Sequence, residues 1–208
     1  MGYNFSETSV YKLTPTLTAG FNWRSPMKTP LEGEANLDGI GDGFGLDFYW
    51  PQMISFGLAY KPIPELTFGF STKWTDWSYF DQSKLSFQQL KFLDGPLVQD
   101  SRDTMRYSVG VEYWFNKNIV WRAGGLYDQY SIDSKWVSPA LPDASSYQVC
   151  SGIGLKWNSW QFDAYFDNTF ISRRTIENSM VGYPGAEISG EALVIGLEIA
   201  YTFGSSSN

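Results

Sequence analysis

The 208-residue chain contains no histidine and a single cysteine. Histidine is the commonest metal ligand and general base in proteins, so its absence argues against a metal centre or a catalytic triad. One cysteine cannot build a disulfide framework. Charged residues make up 18% of the chain, below the roughly one quarter that is usual in soluble domains. We therefore expect no enzymatic activity, no metal and no cofactor.

Basic clusters and long apolar runs are missing as well. The net charge is −7, the sequence pI is about 4.6, and the Lys and Arg residues are dispersed, so we expect no nucleic-acid partner. No segment approaches the roughly 18 consecutive apolar residues of a transmembrane helix. The first residues, Met1–Phe5, have neither the basic nor the apolar region of a signal peptide. A membrane protein built from strands stays compatible with the sequence, because each strand needs only about 10 alternating residues.

Aromatic residues are abundant, with 9 Trp, 13 Tyr and 15 Phe, and many of them belong to alternating segments. Near the C-terminus, for example, Ile195 and Leu197 alternate with Gly196 and Glu198. This period of two predicts β-strands. We count nine such segments: a partial strand around Tyr3 and Phe5, and strands near 17–24, 54–61, 66–74, 106–115, 121–128, 147–157, 160–167 and 193–203.

Short and long connections alternate between these segments. Short turns are predicted near 13–15, 62–64, 116–118 and 158–159, and long loops at 26–45, 80–102, 132–145 and 174–190. Short turns on one rim and long loops on the other are typical of an outer-membrane β-barrel. The predicted fold is therefore all-β, an antiparallel transmembrane β-barrel. A single barrel domain is expected over residues 1–203, followed by a short polar tail at 204–208.

Each predicted strand has two different faces. One face is apolar, with Trp and Tyr concentrated at its ends, as on the lipid-facing side of a barrel. The other face is small or charged and would line the lumen; it includes Cys150, expected to be a lumen residue without a redox role. The alternative is a soluble β-sandwich, acting as a ligand- or carbohydrate-binding module, that packs its apolar face on a core. That alternative does not explain the regular order of short and long connections.

Several motifs occur in a characteristic order and spacing. They are the Trp-Arg-Ser-Pro-Met-Lys segment Trp23–Lys28, Pro51–Tyr60, the Trp-Thr-Asp-Trp-Ser segment Trp74–Ser78, Arg106–Tyr113, Arg122–Asp128 and Leu141–Asp143. Together they resemble the FadL family of outer-membrane transporters for long-chain fatty acids and other hydrophobic compounds. The resemblance extends along most of the chain, and Trp74–Ser78 is its most specific part.

The resemblance implies a fourteen-stranded barrel with a signal peptide and an N-terminal hatch that plugs the lumen. With about nine strands of the expected fourteen, this chain is expected to be N-terminally truncated and to lack the signal peptide, the hatch and about five strands. The implied function is passive uptake of hydrophobic molecules, such as long-chain fatty acids or aromatic hydrocarbons, by a monomeric barrel among outer-membrane lipids of a Gram-negative bacterium. A porin without hydrophobic preference is the other transport function considered.

A fatty-acid carboxylate would need a cation along its path, since an unpaired charge in a partly dry site is costly. Arg24, Lys73 and Arg106 lie on the predicted lumen face towards the long loops, and they are our candidates. The interpretation we favour is that these cations pair with acidic side chains across the barrel and only neutralise the lumen. The acidic candidates are Glu112, Asp128 and Asp163.

The loop 80–102 is rich in apolar residues. Phe87, Leu90 and Phe92 could form a docking surface for substrate, or they could belong to a strand extension and a packed loop. The glycine-rich segment Gly41–Gly45 is predicted to be a loop, and it is no phosphate-binding motif because no helical pattern follows it.

Overall fold

The computed structural model describes residues 3–37, 40–97, 100–139, 141–177, 179 and 184–203. The predicted polar tail at 204–208 and residue Val98 of the loop 80–102 lie outside this part of the chain. Among the described residues, no helix has the length and apolar character of a membrane span. The described strands, in chain order, are β1 (Ser6–Lys12), β2 (Leu17–Arg24), β3 (Met27–Leu37), β4 (Ile40–Trp50), β5 (Gln52–Ile63), β6 (Leu66–Asp76), β7 (Lys84–Phe87), β8 (Gly95–Pro96), β9 (Thr104–Trp114), β10 (Ile119–Asp128), β11 (Ser146–Trp157), β12 (Trp160–Thr175) and β13 (Glu187–Tyr201).

Nine of these strands form one continuous antiparallel sheet, the main sheet, in the order β1-β2-β5-β6-β9-β10-β11-β12-β13. The predicted count of nine and the all-β antiparallel fold are confirmed. Each inner strand pairs with the one joined to it by a short turn and, on its other side, with one reached through a long connection, while the edge strands β1 and β13 have one neighbour each among the described residues. This continuous sheet is the arrangement predicted for a barrel and differs from the two packed sheets of a sandwich.

The first strand lies later in the sequence than predicted. The alternation of Tyr3 and Phe5 suggested a strand there, but β1 begins at Ser6. Its register places Glu7 opposite Trp23 and Val10 opposite Gly20. Backbone hydrogen bonds to β2 hold β1 in the sheet. The residues of β1 do not alternate between apolar and polar, so the sequence pattern did not indicate this strand.

The two faces of the main sheet differ as the alternation predicted. Its apolar face is open, and the most exposed side chains on β13 are Leu197 at 82% and Ile195 at 74%. An exposed apolar surface of this extent is typical of a surface that another apolar medium covers. The opposite, polar face lines a depression of about 820 Å³ and includes Cys150, which is exposed.

The segment 26–45 was predicted to be a long loop, and this prediction is wrong. Strands β3 and β4 pair along their full length, and β7 and β8 extend them into a second sheet, the small sheet, in the order β3-β4-β7-β8. The segment Gly41–Gly45 is therefore part of β4. Its glycines and acidic residues hide the alternation in the sequence, whereas the sheet is stabilised by cross-strand apolar pairs such as Leu31 with Leu46.

Among the described residues, a cluster of buried apolar side chains lies beyond the long-loop end of the main sheet. Four residues from three connections form it, and we call them the cap cluster: Phe80, Ile132, Val137 and Ile176. Phe80 belongs to a short 3-10 helix, Trp77–Gln82, and its ring packs edge-on against Phe48 and Trp77. The long connections therefore fold into a packed structure above the sheet.

Candidate functional site

A cavity of about 530 Å³ lies where the small sheet, the 3-10 helix and the connection after β10 meet the upper end of the main sheet. Its apolar lining comes from Phe48, Trp50, Pro51, Met53, Trp77, Phe80, Ile132, Leu141 and Pro142. Its polar lining comes from Lys73, Thr75, Thr104, Arg106, Asp128, Gln129, Ser131 and Asp143. A mostly apolar cavity with a few convergent polar groups is the usual form of a small-molecule site.

The charged floor of the cavity is formed by three residues on neighbouring strands. Lys73 lies opposite Arg106, and Arg106 lies opposite Asp128. The Arg106 guanidinium donates to Asp128 Oδ2 through Nε at 3.0 Å and also through Nη2. The pairing that we favoured from the sequence is thus present for Arg106.

Lys73 differs from Arg106 because no ion pair involving it occurs among the described residues. Its side chain is half-buried and lines the cavity. The floor therefore carries two cations and one carboxylate, an excess of one positive charge, while the other charged lining residue, Asp143, belongs to the wall and accepts the backbone N–H groups of Ser131 and Ile132. This excess lies directly below the apolar lining.

Arg24 does not join these two cations. It is the last residue of β2, its side chain is exposed, and its Nε donates to Asn4 Oδ1 at 3.3 Å. It is not among the residues that line the cavity. The proposed role of Arg24 stays a prediction.

The three apolar loop candidates also lie away from the cavity lining. Phe87 is buried, with its ring centroid 6.2 Å from that of Phe44. Leu90 is half-buried beside it, whereas Phe92 is 82% exposed. Their role as a docking surface stays a prediction, and among the three Phe92 has the side chain that is open to a ligand.

Aspartate side chains hold the connections around the cavity. The buried Asp42 accepts the backbone N–H of Gln89 at 3.0 Å and that of Leu90 at 2.8 Å. Burial acts to raise the pKa of Asp42, but hydrogen bonds from the backbones of Leu90, Gln89 and Gly43 outweigh it and hold this pKa below its ordinary value of 3.8.

A second aspartate, unlike Asp42, belongs to the cavity lining and orders one wall of the cavity. The Asp143 carboxylate accepts the backbone N–H groups of Ser131 and Ile132, both at 2.6 Å. Such charge-assisted bonds satisfy backbone donors in segments that have no sheet partner. The cavity wall is thus an ordered segment rather than a loose loop.

Most apolar residues of the cavity lining were not predicted as site residues from the sequence. Phe48 and Trp50 follow the segment 26–45 that was predicted to be a loop, while Phe80, Ile132 and Leu141 come from other connections. The available signals were three of the motifs named above: Pro51–Tyr60, Trp74–Ser78 and Leu141–Asp143 each contain apolar residues of the lining. No period links residues on different connections, so their meeting depends on the fold.

This arrangement suits non-covalent binding. The aromatic lining can hold an apolar body, and Lys73 can contact one anionic group. Within the described ranges, no group of three or more His, Cys, Asp or Glu side chains could hold a metal ion.

Comparison with known proteins agrees with this geometry. The family described as "Outer membrane protein transport protein (OMPP1/FadL/TodX)" matches residues 1–203. A long-chain fatty acid transport protein of Escherichia coli O6:H1 is 24% identical over 179 residues, covering 76% of this chain and 39% of that protein. Its counterpart from E. coli O157:H7 is 20% identical, covering 97% and 48% respectively.

Solved structures show the same fold. The crystal structure of a Pseudomonas aeruginosa FadL homologue superposes with a TM-score of 0.81 at 23% identity, covering 96% of this chain and 52% of that one. The Pseudomonas putida toluene transporter TodX has a TM-score of 0.68 at 18% identity, covering 95% and 48%. The chain thus spans about half the length of these structures. Because the family match includes nearly every residue, the chain belongs to the OMPP1/FadL/TodX family of outer membrane transport proteins.

Proposed function

We propose that this protein takes up hydrophobic molecules passively across the outer membrane of a Gram-negative bacterium, as a monomeric barrel surrounded by lipid and without enzymatic activity. Residues 1–203 would act as one barrel domain. Long-chain fatty acids and aromatic hydrocarbons are the substrate classes that the named relatives suggest. The exposed apolar face of the main sheet supports a lipid environment, because such a face is stable only where water is excluded.

The observation that carries the proposal is the cavity at the long-loop end. Its lining combines the aromatic rings of Phe48, Trp50, Trp77 and Phe80 with an unpaired cation, Lys73. An apolar molecule gains free energy by leaving water for such a lining, roughly 25 cal/mol for each Å² of apolar surface that it buries. A carboxylate at its end would pair with Lys73 and neutralise the excess positive charge of the floor.

Of the two substrate classes, the floor favours the carboxylates. A neutral hydrocarbon would leave Lys73 without a counter-ion in a partly desolvated cavity, which is unfavourable. A fatty acid would use the apolar lining and the cation together. Arg106 would contribute less, because Asp128 already accepts its hydrogen bonds.

Uptake of a long-chain fatty acid and of toluene, measured in cells that lack other such transporters, tests this proposal. Wild-type protein is expected to increase fatty-acid uptake above the empty-vector level. Replacing Lys73 by Met should raise the half-saturating fatty-acid concentration roughly tenfold, the effect of losing one charge-assisted hydrogen bond. It should leave toluene uptake unchanged.

Lys156→Met is the matched control. Lys156 is another lysine of the polar face, but its ammonium lies 4.9 Å from the Trp114 ring centroid and outside the cavity lining. Equal losses in both variants would contradict a specific role of Lys73. If wild-type protein took up neither compound, the transport function itself would be wrong.

A further inference from the structure

One wall of the cavity is a segment without regular strand partners, residues 129–139 and 141–143, which we call the wall segment. Ser131, Ile132, Leu141 and Asp143 of this segment line the cavity. The Asp143 bonds to Ser131 and Ile132 tie the two ends of the segment to each other. Those bonds are internal to the segment. It is attached to the rest of the protein by Ile132 and Val137 in the cap cluster, by the Arg102 N–H, which donates to the Ser131 carbonyl oxygen at 2.9 Å, and by one arginine side chain that reaches both of its ends.

Arg174, near the end of β12, makes that connection. Its Nη1 donates to the carbonyl oxygen of Asp143 at 2.8 Å. Its Nη2 donates to the carbonyl oxygen of Ile132 at 2.7 Å and to the Ser134 hydroxyl at 3.1 Å. A planar guanidinium can serve several acceptors at once, and here both ends of the wall segment are bonded to one side chain.

The base of the wall segment is held in a second way. The Tyr130 ring has the Arg174 Cζ 3.9 Å from its centroid and the Arg102 Cζ 3.4 Å from it. Two guanidiniums this near to one ring cannot share a face without clashing, so they flank it. Arg102 Nε also donates to the Tyr130 carbonyl oxygen at 2.7 Å. Such contacts are favourable when the cation is partly desolvated.

We propose that Arg174 is a positioning residue for uptake: it holds the wall segment in place and thereby keeps the apolar side of the cavity closed around a substrate. This inference rests on the proposed function. Arg174 is not among the residues that line the cavity. It acts through Ile132 and Leu141, whose side chains would contact the substrate.

Arg174→Ala tests the role, with Arg173→Ala as the matched control. Arg173 is the adjacent residue, but its side chain is 73% exposed and its Nε lies 3.8 Å from Glu187, away from the wall segment. Arg174→Gln is a second variant, which keeps one side-chain amide donor group and fills more of the space of the arginine side chain than alanine does. All forms are studied as full-length protein in outer membranes.

The first measurement is cleavage after Lys135 by a lysine-specific protease. Lys135 lies within the wall segment and is half-buried, so cutting there reports local opening. Cleavage after Lys91, whose side chain is 67% exposed, serves as the internal standard. We expect Arg174→Ala to accelerate cleavage after Lys135 roughly tenfold, the effect of losing charge-assisted hydrogen bonds, Arg174→Gln to accelerate it less, and Arg173→Ala to leave it unchanged.

The second measurement is the concentration dependence of fatty-acid uptake. An opened wall weakens binding, so Arg174→Ala should raise the half-saturating concentration several-fold while the maximal rate per folded protein stays at the wild-type level. The proposal is overturned if cleavage after Lys135 does not change, or if it changes while half-saturation does not. Absence of uptake by wild-type protein would instead refute the proposed function, and normal wild-type uptake separates the two failures.

Discussion

Two regions on the polar face of the main sheet balance their charges in opposite ways. In the middle of the sheet, Arg122 lies between two carboxylates, with Nε 2.8 Å from Glu112 and Nη1 3.3 Å from Asp163. At the floor of the cavity, the one carboxylate, Asp128, pairs with Arg106, and Lys73 lies opposite Arg106 with no ion-pair partner among the described residues.

Both regions contain charged residues that lie opposite each other on paired antiparallel strands, but Asp163 contacts Arg122 from two strands away, across the glycines of β11. The difference therefore comes from which side chains the register brings together. In the middle, the carboxylates have a cation between them and the network is structural. At the floor, Lys73 has no ion-pair partner among the described residues, so an anionic ligand bound there would supply one.

The cap cluster and the main sheet also differ in how they are stabilised, and replacing an aromatic residue in each tests this difference. Phe80→Ala removes a ring from the cap cluster, where Phe80 is 6% exposed, and should cost about 3–5 kcal/mol of local opening free energy. Hydrogen exchange of the amides in Trp77–Gln82 and in the wall segment measures it.

Phe68→Ala is the corresponding change on the apolar face of the sheet. Phe68 is 45% exposed, so its removal leaves no enclosed cavity, and we expect about half the effect or less. If both variants opened the same amides to the same extent, the cap and the sheet would be one cooperative unit, contrary to this comparison.

The middle network depends on a glycine. A Cβ placed on Gly154 would lie 2.5 Å from Asp163 Oδ1 and 2.9 Å from Val120 Cγ1, so Gly154→Ala must displace Asp163 from Arg122. We expect about 1–2 kcal/mol of destabilisation, as for modest overpacking. Gly20→Ala is the control, because the nearest atom to its Cβ would be 3.9 Å away. Urea unfolding in lipid vesicles measures both, and equal stability of the two variants would show that Gly154 is not needed for the network.

Arg122→Gln removes the cation from the same network. Because these side chains are partly exposed to solvent, the loss should be about 1 kcal/mol, smaller than for a fully buried pair. The double variant Arg122→Gln/Glu112→Gln should recover part of it, since one unpaired carboxylate is removed. A double variant that is less stable than Arg122→Gln would contradict a role of Arg122 in charge compensation.

The smallest expected effect concerns pH at the small sheet. The pKa of Asp42 is held below 3.8, so its ionised form stabilises the folded segment at neutral pH, and this contribution is lost as the pH falls below 3.8 through the folded-state value. Exchange of the Gln89 and Leu90 amides, corrected for its intrinsic pH dependence, should therefore increase on acidification.

Asp42→Asn supplies the control for this pH effect. An amide cannot ionise, so the variant should show faster exchange at neutral pH and no further change on acidification. An identical pH response in the variant would assign the effect to another group.

The fold was largely predictable from the sequence because alternation is a local property. Ile54, Phe56 and Leu58 alternate with Ser55 and Gly57, and the structure places the two sets on opposite faces. The prediction failed where the pattern is weak: at β1, which has no apolar alternation, and at β3 and β4, which contain glycine and acidic residues among their apolar ones.

The candidate site was only partly predictable, for a physical reason. The sequence placed Lys73 and Arg106 on the polar face towards the long loops, and they do line the cavity. It did not distinguish the paired Arg106 from the unpaired Lys73, because Asp128 is 22 positions from Arg106. It could not show that Arg24 lies outside the lining, since that depends on where the connections fold.

By itself, the sequence determined the strand-forming segments, the two faces of each strand and the family resemblance, because these depend on residue order and on the period of two. The tertiary structure decided which charges are neutralised, how β3 and β4 pair, and how the wall segment closes the cavity. Those outcomes arise from contacts between residues that are far apart in the chain, and only the folded backbone brings their side chains within bonding distance.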